Sequence, residues 1–175
     1  MKILGLDLSL TETGYCCFSS KEEYYTGVIK TKLRQSSRLV FIRDEIRKII
    51  RNFERLGEEV SLIVIEDYAM GVRGGRSFSI GELGGIIKSD LLEKDYKVIL
   101  IPPTVLKKFI TGSGKAEKST MSMNLYKKYG IELTNNNEVD ACCLSMFGSF
   151  YEGSCLGLPG YQKEMLCSEK ITVDK

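Results

Sequence analysis

The chain has 175 residues, 43% hydrophobic and 27% charged, with a formal net charge of +2; this is the size and balance of one globular domain with its own core. No apolar run approaches the roughly 18 residues of a membrane-spanning helix, and the opening MKILGLD turns acidic too early for a secretory signal, so a cytoplasmic protein is expected. There is no histidine, which excludes a histidine general base, a Ser-His-Asp triad and any imidazole metal ligand.

In chain order, Lys2–Leu6, Gly14–Ser19 and Tyr24–Lys30 are short β-type runs separated by turn residues, and they predict three consecutive antiparallel strands. Ser36–Arg55 carries apolar residues at 39, 42, 46, 49, 50 and 53, the spacing of an amphipathic helix, with Ser36 or Ser37 as its cap. SLIVIED (61–67) is a continuous aliphatic run ending in acids and reads as a central strand covered on both faces. Ser77–Leu92 predicts a helix although Gly81, Gly84 and Gly85 each cost it up to ~1 kcal/mol.

YKVILI (96–101) predicts a further buried strand, stopped by Pro102 and Pro103, and Thr104–Ile110 a short helix. TGSGKAEKST (111–120) is a turn leading into a helix from about Glu117 to Tyr129, and residues 135–151 open with helix-start residues and continue as an apolar helix. Residues 1–155 thus predict one domain, a mixed sheet with helices on both faces, and 156–175 a loop and tail. The six cysteines include two adjacent pairs, Cys16-Cys17 and Cys142-Cys143, inside apolar runs. That is not the spacing of a zinc or redox site, and it predicts buried free thiols.

Three acids interrupt otherwise hydrophobic segments: Asp7 after ILGL, Glu66 in IVIEDY and Asp140 in NNEVDACCL. Asp7 is followed by Ser9, Thr11 and Thr13, so a turn cap is one account of it. The other is a cleft position at a strand end. An unpaired charge in an apolar run is costly, and three such acids at the ends of core elements are better explained by one shared partner of opposite charge. Without histidine or C-x-x-C, the ligands are oxygens, which suit Mg²⁺ or Mn²⁺. Positive charge is concentrated elsewhere. Lys97, Lys107, Lys108, Lys115, Lys118, Lys127 and Lys128 face a single acid, Glu117, across that stretch, and GVRGGR (71–76) adds Arg73 and Arg76. Such clustering points to a polyanion-binding face.

These residues carry a resemblance. ILGLDLSLTETGY resembles the first-strand signature of the RuvC-type Holliday junction resolvases of the ribonuclease H-like superfamily. LIVIEDYAM resembles their second acidic motif, GSGKAEKSTM their basic loop and NNNEVDACCLSM their last acidic helix; LPGYQKEML resembles the phage-type branch. The blocks stand in the family's order over residues 2–150. The resemblance implies an α/β fold with a five-stranded mixed sheet, strands 1–3 antiparallel and strands 4 and 5 parallel to strand 1. It implies a structure-selective endodeoxyribonuclease that resolves Holliday junctions, and other branched DNA such as forks and flaps, by paired nicks leaving 5′-phosphate ends. It also implies a homodimer, because a two-fold junction is cut on opposed strands.

In the two-metal scheme that the resemblance implies, Asp7, Glu66 and Asp140 hold two Mg²⁺ ions about 3.5–4 Å apart, with Asp7 bridging. Lys118, at a helix start, either stabilises charge on the reacting phosphate or only clamps the backbone; Lys115, Arg73 and Arg76 belong to the clamp class. Tyr68 is placed to stack on bases at the branch, with Met70 as an alternative wedge and a core-edge tyrosine as the plain account. The family commonly carries Asp or His one helical turn before the last acid. Here the position is Asn137, on the face of Asp140, whereas Glu138 is rotated away. Asn137 is expected as a weak or water-mediated metal ligand, against a plain N-cap with Glu138 reaching the metal through water.

Two other activities are weighed against this one. GLDLSLTETGY also resembles the phosphate hairpin of actin-like ATPases, which need a second lobe. A P-loop fails because its first glycine would fall at Phe109 and Ala116 follows the lysine. A catalytically silent branched-DNA-binding module of the same fold is the remaining alternative.

Overall fold

The structure is a computed structural model that describes residues 2–57, 59–67, 75–153 and 157–174. The elements follow in the order β1 (Lys2–Asp7), β2 (Glu12–Ser20), β3 (Glu23–Lys30), α1 (Gln35–Arg55), β4 (Val60–Glu66), α2 (Gly75–Leu92), β5 (Val98–Ile101), α3 (Pro103–Thr111), α4 (Lys118–Tyr129), α5 (Asn136–Glu152), α6 (Gly160–Leu166) and β6 (Thr172–Asp174). One mixed sheet runs β3-β2-β1-β4-β5-β6. β1, β2 and β3 pair antiparallel, and β4 and β5 lie parallel to β1, as expected.

The strand pleat sorts the core into two layers. Ile3, Leu62, Val64 and Ile99 pack under α3, α4 and α5. Leu4, Leu6, Ile63, Ile65 and Val98 pack under α1 and α2. The helical spacing of α1 is visible in its buried stripe, Leu39, Ile42, Ile46, Ile50 and Phe53. The helix starts earlier than the serines suggested. The chain arrives extended at Arg34, which occupies the cap without a side-chain hydrogen bond, so Ser36 and Ser37 fall inside the first turn.

The largest correction is at the C-terminal end. Where a loop and tail were expected after a five-stranded sheet, α6 forms and β6 pairs antiparallel with β5, Ile99 opposite Val173, making a sixth strand. Without β6 the outer edge of β5 would present a row of unpaired backbone groups; the short β-branched run Ile171-Thr172-Val173 covers it. Cys16, Cys17, Cys142 and Cys143 are buried free thiols, while Cys167 is exposed.

Helix α5 crosses the sheet at very short range, and glycines make room for it. A Cβ on Gly5 would fall on the Ala141 carbonyl oxygen, and one on Gly14 would fall on that of Asn137. Further along, a Cβ on Gly148, in α5 itself, would press on Ile3 and Val64. The glycines on β1 and β2 therefore set where residues 137–141 sit.

Candidate active site

Asp7 and Glu66 are the last residues of adjacent parallel strands, β1 and β4. Leu6 lies opposite Ile65 in the register, so one residue further on the two carboxylates stand side by side. The period of two along a strand puts Asp7 on the face of Ile3 and Gly5, and Glu66 on the face of Leu62 and Val64. That is the face covered by α5. Asp7 also pairs with Gly14, the glycine whose bare Cα admits Asn137. Asp140 follows one turn later on α5 and is 8% exposed. The turn after β1 is closed by Ser9 and Thr13: Thr13 Oγ1 donates to the Ser9 carbonyl at 2.8 Å and accepts from the Ser9 N–H at 3.1 Å. The hydroxyls do the turn's work, and Asp7 is left facing the acids.

The carboxylates disturb one another. Burial, then the charge of Asp140, pushes Asp7 from 3.8 up to about 7, with Lys118 pulling it back. Burial, then Asp7 and Asp140, pushes Glu66 from 4.5 up to about 8, against the pull of Lys118 and Lys107. Lys118 is the first residue of α4, and its Nζ donates to Asp140 Oδ2 at 2.8 Å. Burial works against its charge, but the bond to Asp140 and the charges of Asp140, Asp7 and Glu66 outweigh it and raise its pKa. Carboxylates with raised pKa values in a cleft are the mark of a site that needs a proton or a cation.

Hard oxygen donors with excess negative charge, half screened from water, fit a divalent cation. Among the described residues no three acidic or cysteine side chains close around one point as a metal cage; the positive charge on Asp140 comes instead from Lys118.

The other expected site residues divide. Tyr68, Met70 and Arg73 lie outside the described residues, and Arg76 falls in the first turn of α2. Lys115 is exposed in the connection between α3 and α4. Asn137 is not the cap of α5: Asn135 is, its side chain accepting from the N–H groups of Asn137 and Glu138. Asn137 Nδ2 donates to Glu12 Oε2 at 3.4 Å. Glu138 accepts from Thr26 Oγ1 on β3 at 2.8 Å, so it points toward the antiparallel half of the sheet. Two residues near the site were not assigned to it: Lys107, counted only within the basic stretch, and Glu12. Lys107 had a signal: it follows Pro103 by one helical turn, just beyond a strand parallel to β4.

The Crossover junction endodeoxyribonuclease RuvC family profile matches residues 3–144. A crossover junction endodeoxyribonuclease RuvC from Caldicellulosiruptor saccharolyticus is 25% identical over 155 residues, covering 83% of this chain and 90% of the relative. One from Rickettsia bellii is 28% identical over 153 residues, covering 83% and 94%. In fold, Thermus thermophilus RuvC solved in complex with a Holliday junction substrate superposes with a TM-score of 0.72 at 17% identity, covering 86% of this chain and 94% of that one. The chain belongs to the RuvC family of crossover junction endodeoxyribonucleases.

Proposed function

We propose that the chain is a divalent-metal-dependent, structure-selective endodeoxyribonuclease that resolves four-way DNA junctions. It would act as a homodimer in the cytoplasm and accept forks and flaps as well. The single observation that supports this best is the convergence of Asp7, Glu66 and Asp140, from two strand ends and a helix, with the Lys118 ammonium on Asp140.

Asp7, Glu66 and Asp140 would hold two Mg²⁺ ions, replaceable by Mn²⁺. Bound there, the ions would supply an activated water and stabilise the leaving 3′ oxygen. The protein's own part is binding and orientation. Lys118, at a helix N-terminus that itself favours anions, offers its ammonium to a non-bridging phosphate oxygen. Lys107 lies close enough to Glu66 to lower its pKa and supplies a second positive charge on the same side. Asn137 contributes a neutral oxygen beside Asp7. Lys115, Arg73 and Arg76 hold the backbone further out, and Tyr68 stacks on an unpaired base at the branch. The products are nicks with 5′-phosphate ends.

The test is cleavage of a four-way junction in Mg²⁺ by the wild-type chain and by Asp7→Asn and Glu66→Gln. Both variants are expected to lose cleavage and keep junction binding, since lysines carry most of the affinity. Near wild-type nicking by either one removes the site assignment. Equal affinity for a junction and a linear duplex at the same salt removes the junction claim.

A further inference from the structure

The family match ends at residue 144, yet the helices that carry Lys107 and Lys118 are held from beyond it. The last four carbonyls of a helix have no partner inside it, and three of those at the end of α3 have partners that can be named. The Lys108 carbonyl accepts from the Gly112 N–H at 2.8 Å. The Phe109 carbonyl accepts from Gln162 Nε2 of α6 at 2.9 Å. The Ile110 carbonyl accepts from Lys128 Nζ of α4 at 2.7 Å.

The same Gln162 amide also donates to the Tyr129 hydroxyl at 3.2 Å, on the last residue of α4. Lys128 in turn donates to the Tyr161 hydroxyl at 2.9 Å. Lys108 and Glu164 add an ion pair at 3.0 Å. Gln162 is a polar side chain only 3% exposed, placed in a helix of seven residues, and both of its donated bonds go to the ends of α3 and α4.

We propose that Gln162 is a positioning residue: by tying the C-terminal end of α4 to that of α3 it sets the tilt of α4, and so the placement of Lys118 on the carboxylate site. The proposal rests on the nuclease reading above. The leverage is large. A helix of 12 residues is about 18 Å long, so tilting α4 by about ten degrees at its clamped end carries Lys118 roughly 3 Å at the other. That is enough to lose a 2.8 Å contact. The tail resembling phage-type resolvases then has a task in the chemistry without touching the substrate.

The experiment is a double-mutant cycle. Gln162→Met keeps the volume and removes both donated bonds. Single-turnover junction cleavage under excess protein and junction Kd are measured well below the unfolding midpoint, for wild type, Gln162→Met, Lys118→Ala and the double variant. The expected result is cleavage about ten-fold slower in Gln162→Met with Kd within about two-fold, and no further slowing when the substitution is added to Lys118→Ala. Tyr129→Phe, which removes one acceptor and disturbs packing little, is expected to slow cleavage by about three-fold with the same dependence on Lys118. An unchanged rate in both single variants overturns the proposal, as does the same factor in both backgrounds, the signature of a merely structural role. A wild-type chain that binds junctions and does not cut them overturns the nuclease reading and this one with it.

Discussion

Replacing Asp7 by Asn should make the metal-free protein more stable at alkaline pH while destroying its activity. Asp7 and Glu66 titrate in the folded chain at about 7 and about 8, against ordinary values of 3.8 and 4.5. Both folded values lie above the unfolded ones, so between about pH 4 and 8 the folded state binds more protons than the unfolded state. The stability they contribute is therefore complete only below about pH 4 and is lost progressively as pH rises to the folded values of about 7 and 8. Asp90 has the opposite sign: the hydrogen bond from Arg47 and the neighbouring Lys94 hold its pKa down. Its contribution is lost only at lower pH, outside the window of interest.

A shift of about three units corresponds to roughly 4 kcal/mol, but part of the rise of Glu66 is the charge of Asp7, and Asp140 contributes to both, so the two cannot be added. Allowing for an amide that is itself imperfectly bonded, Asp7→Asn should stabilise by on the order of 2 kcal/mol at pH 8. For a chain of this size that is about 4–8 °C in Tm. Thermal unfolding in EDTA from pH 5 to 8.5 reads this directly. Wild-type Tm should fall progressively from pH 5 to about 8, the variant should stay flatter, and the gap should narrow toward pH 5. Millimolar Mg²⁺ or Mn²⁺ should then restore the wild type far more than the variant, since only the ligand-bound folded state gains. A wild type that is more stable at pH 8 than at pH 5.5 without metal, or a variant less stable at pH 8, would refute the electrostatic account of the site.

The remaining predictions concern how α5 and α4 are placed. Gly14→Ala drives a methyl into the Asn137 carbonyl, so it should destabilise by about 1–3 kcal/mol in urea unfolding and slow cleavage by more than ten-fold. Unchanged stability would mean that α5 is not seated on Gly14. Lys118→Gln frees Asp140 from its ammonium, so Mn²⁺ binding without DNA, followed calorimetrically, should tighten by several-fold while cleavage falls; weaker binding would show that Lys118 and the metal do not compete for Asp140. Asn137→Asp should lower the Mg²⁺ concentration for half-maximal cleavage, whereas Glu138→Gln, whose carboxylate is bound to Thr26, should leave it within about two-fold. The reverse pattern would make Glu138 the ligand.

The succession of elements and the acids at the ends of β1 and β4 were legible in the sequence, because each acid left a break in a regular pattern; the parallel pairing of β1 with β4 was legible only through the resemblance to the RuvC-type family. Asp7 ends an aliphatic strand, Glu66 ends another, and Asp140 stands immediately before Ala141-Cys142-Cys143-Leu144. The alternation of period two fixes each acid's face within its own strand, and the β1–β4 register then puts the two on one face. The sixth strand was not legible for the complementary reason. Thr172–Asp174 is three residues long, too short for any period, and it exists only because β5 offers an edge to pair with.

Gly5 and Gly14 show the same division at finer grain. In the sequence they look like ordinary interruptions of β-type runs, where glycine weakens a strand. In the fold they are the two points at which the α5 backbone touches β1 and β2, and without that approach Asp140 could not share a field with Asp7. Local rules are broken where the chemistry is, and such breaks can be read. Lys107 and Gln162 break no local rule. A lysine on a short helix and a glutamine in a polar tail are what a solvated surface looks like, and only the packing of α3 against α4 and α5, and of α6 across the ends of α3 and α4, brings the first near Glu66 and buries the second. Their assignment depends on tertiary contacts, so substitution in the folded enzyme is the test that reaches them.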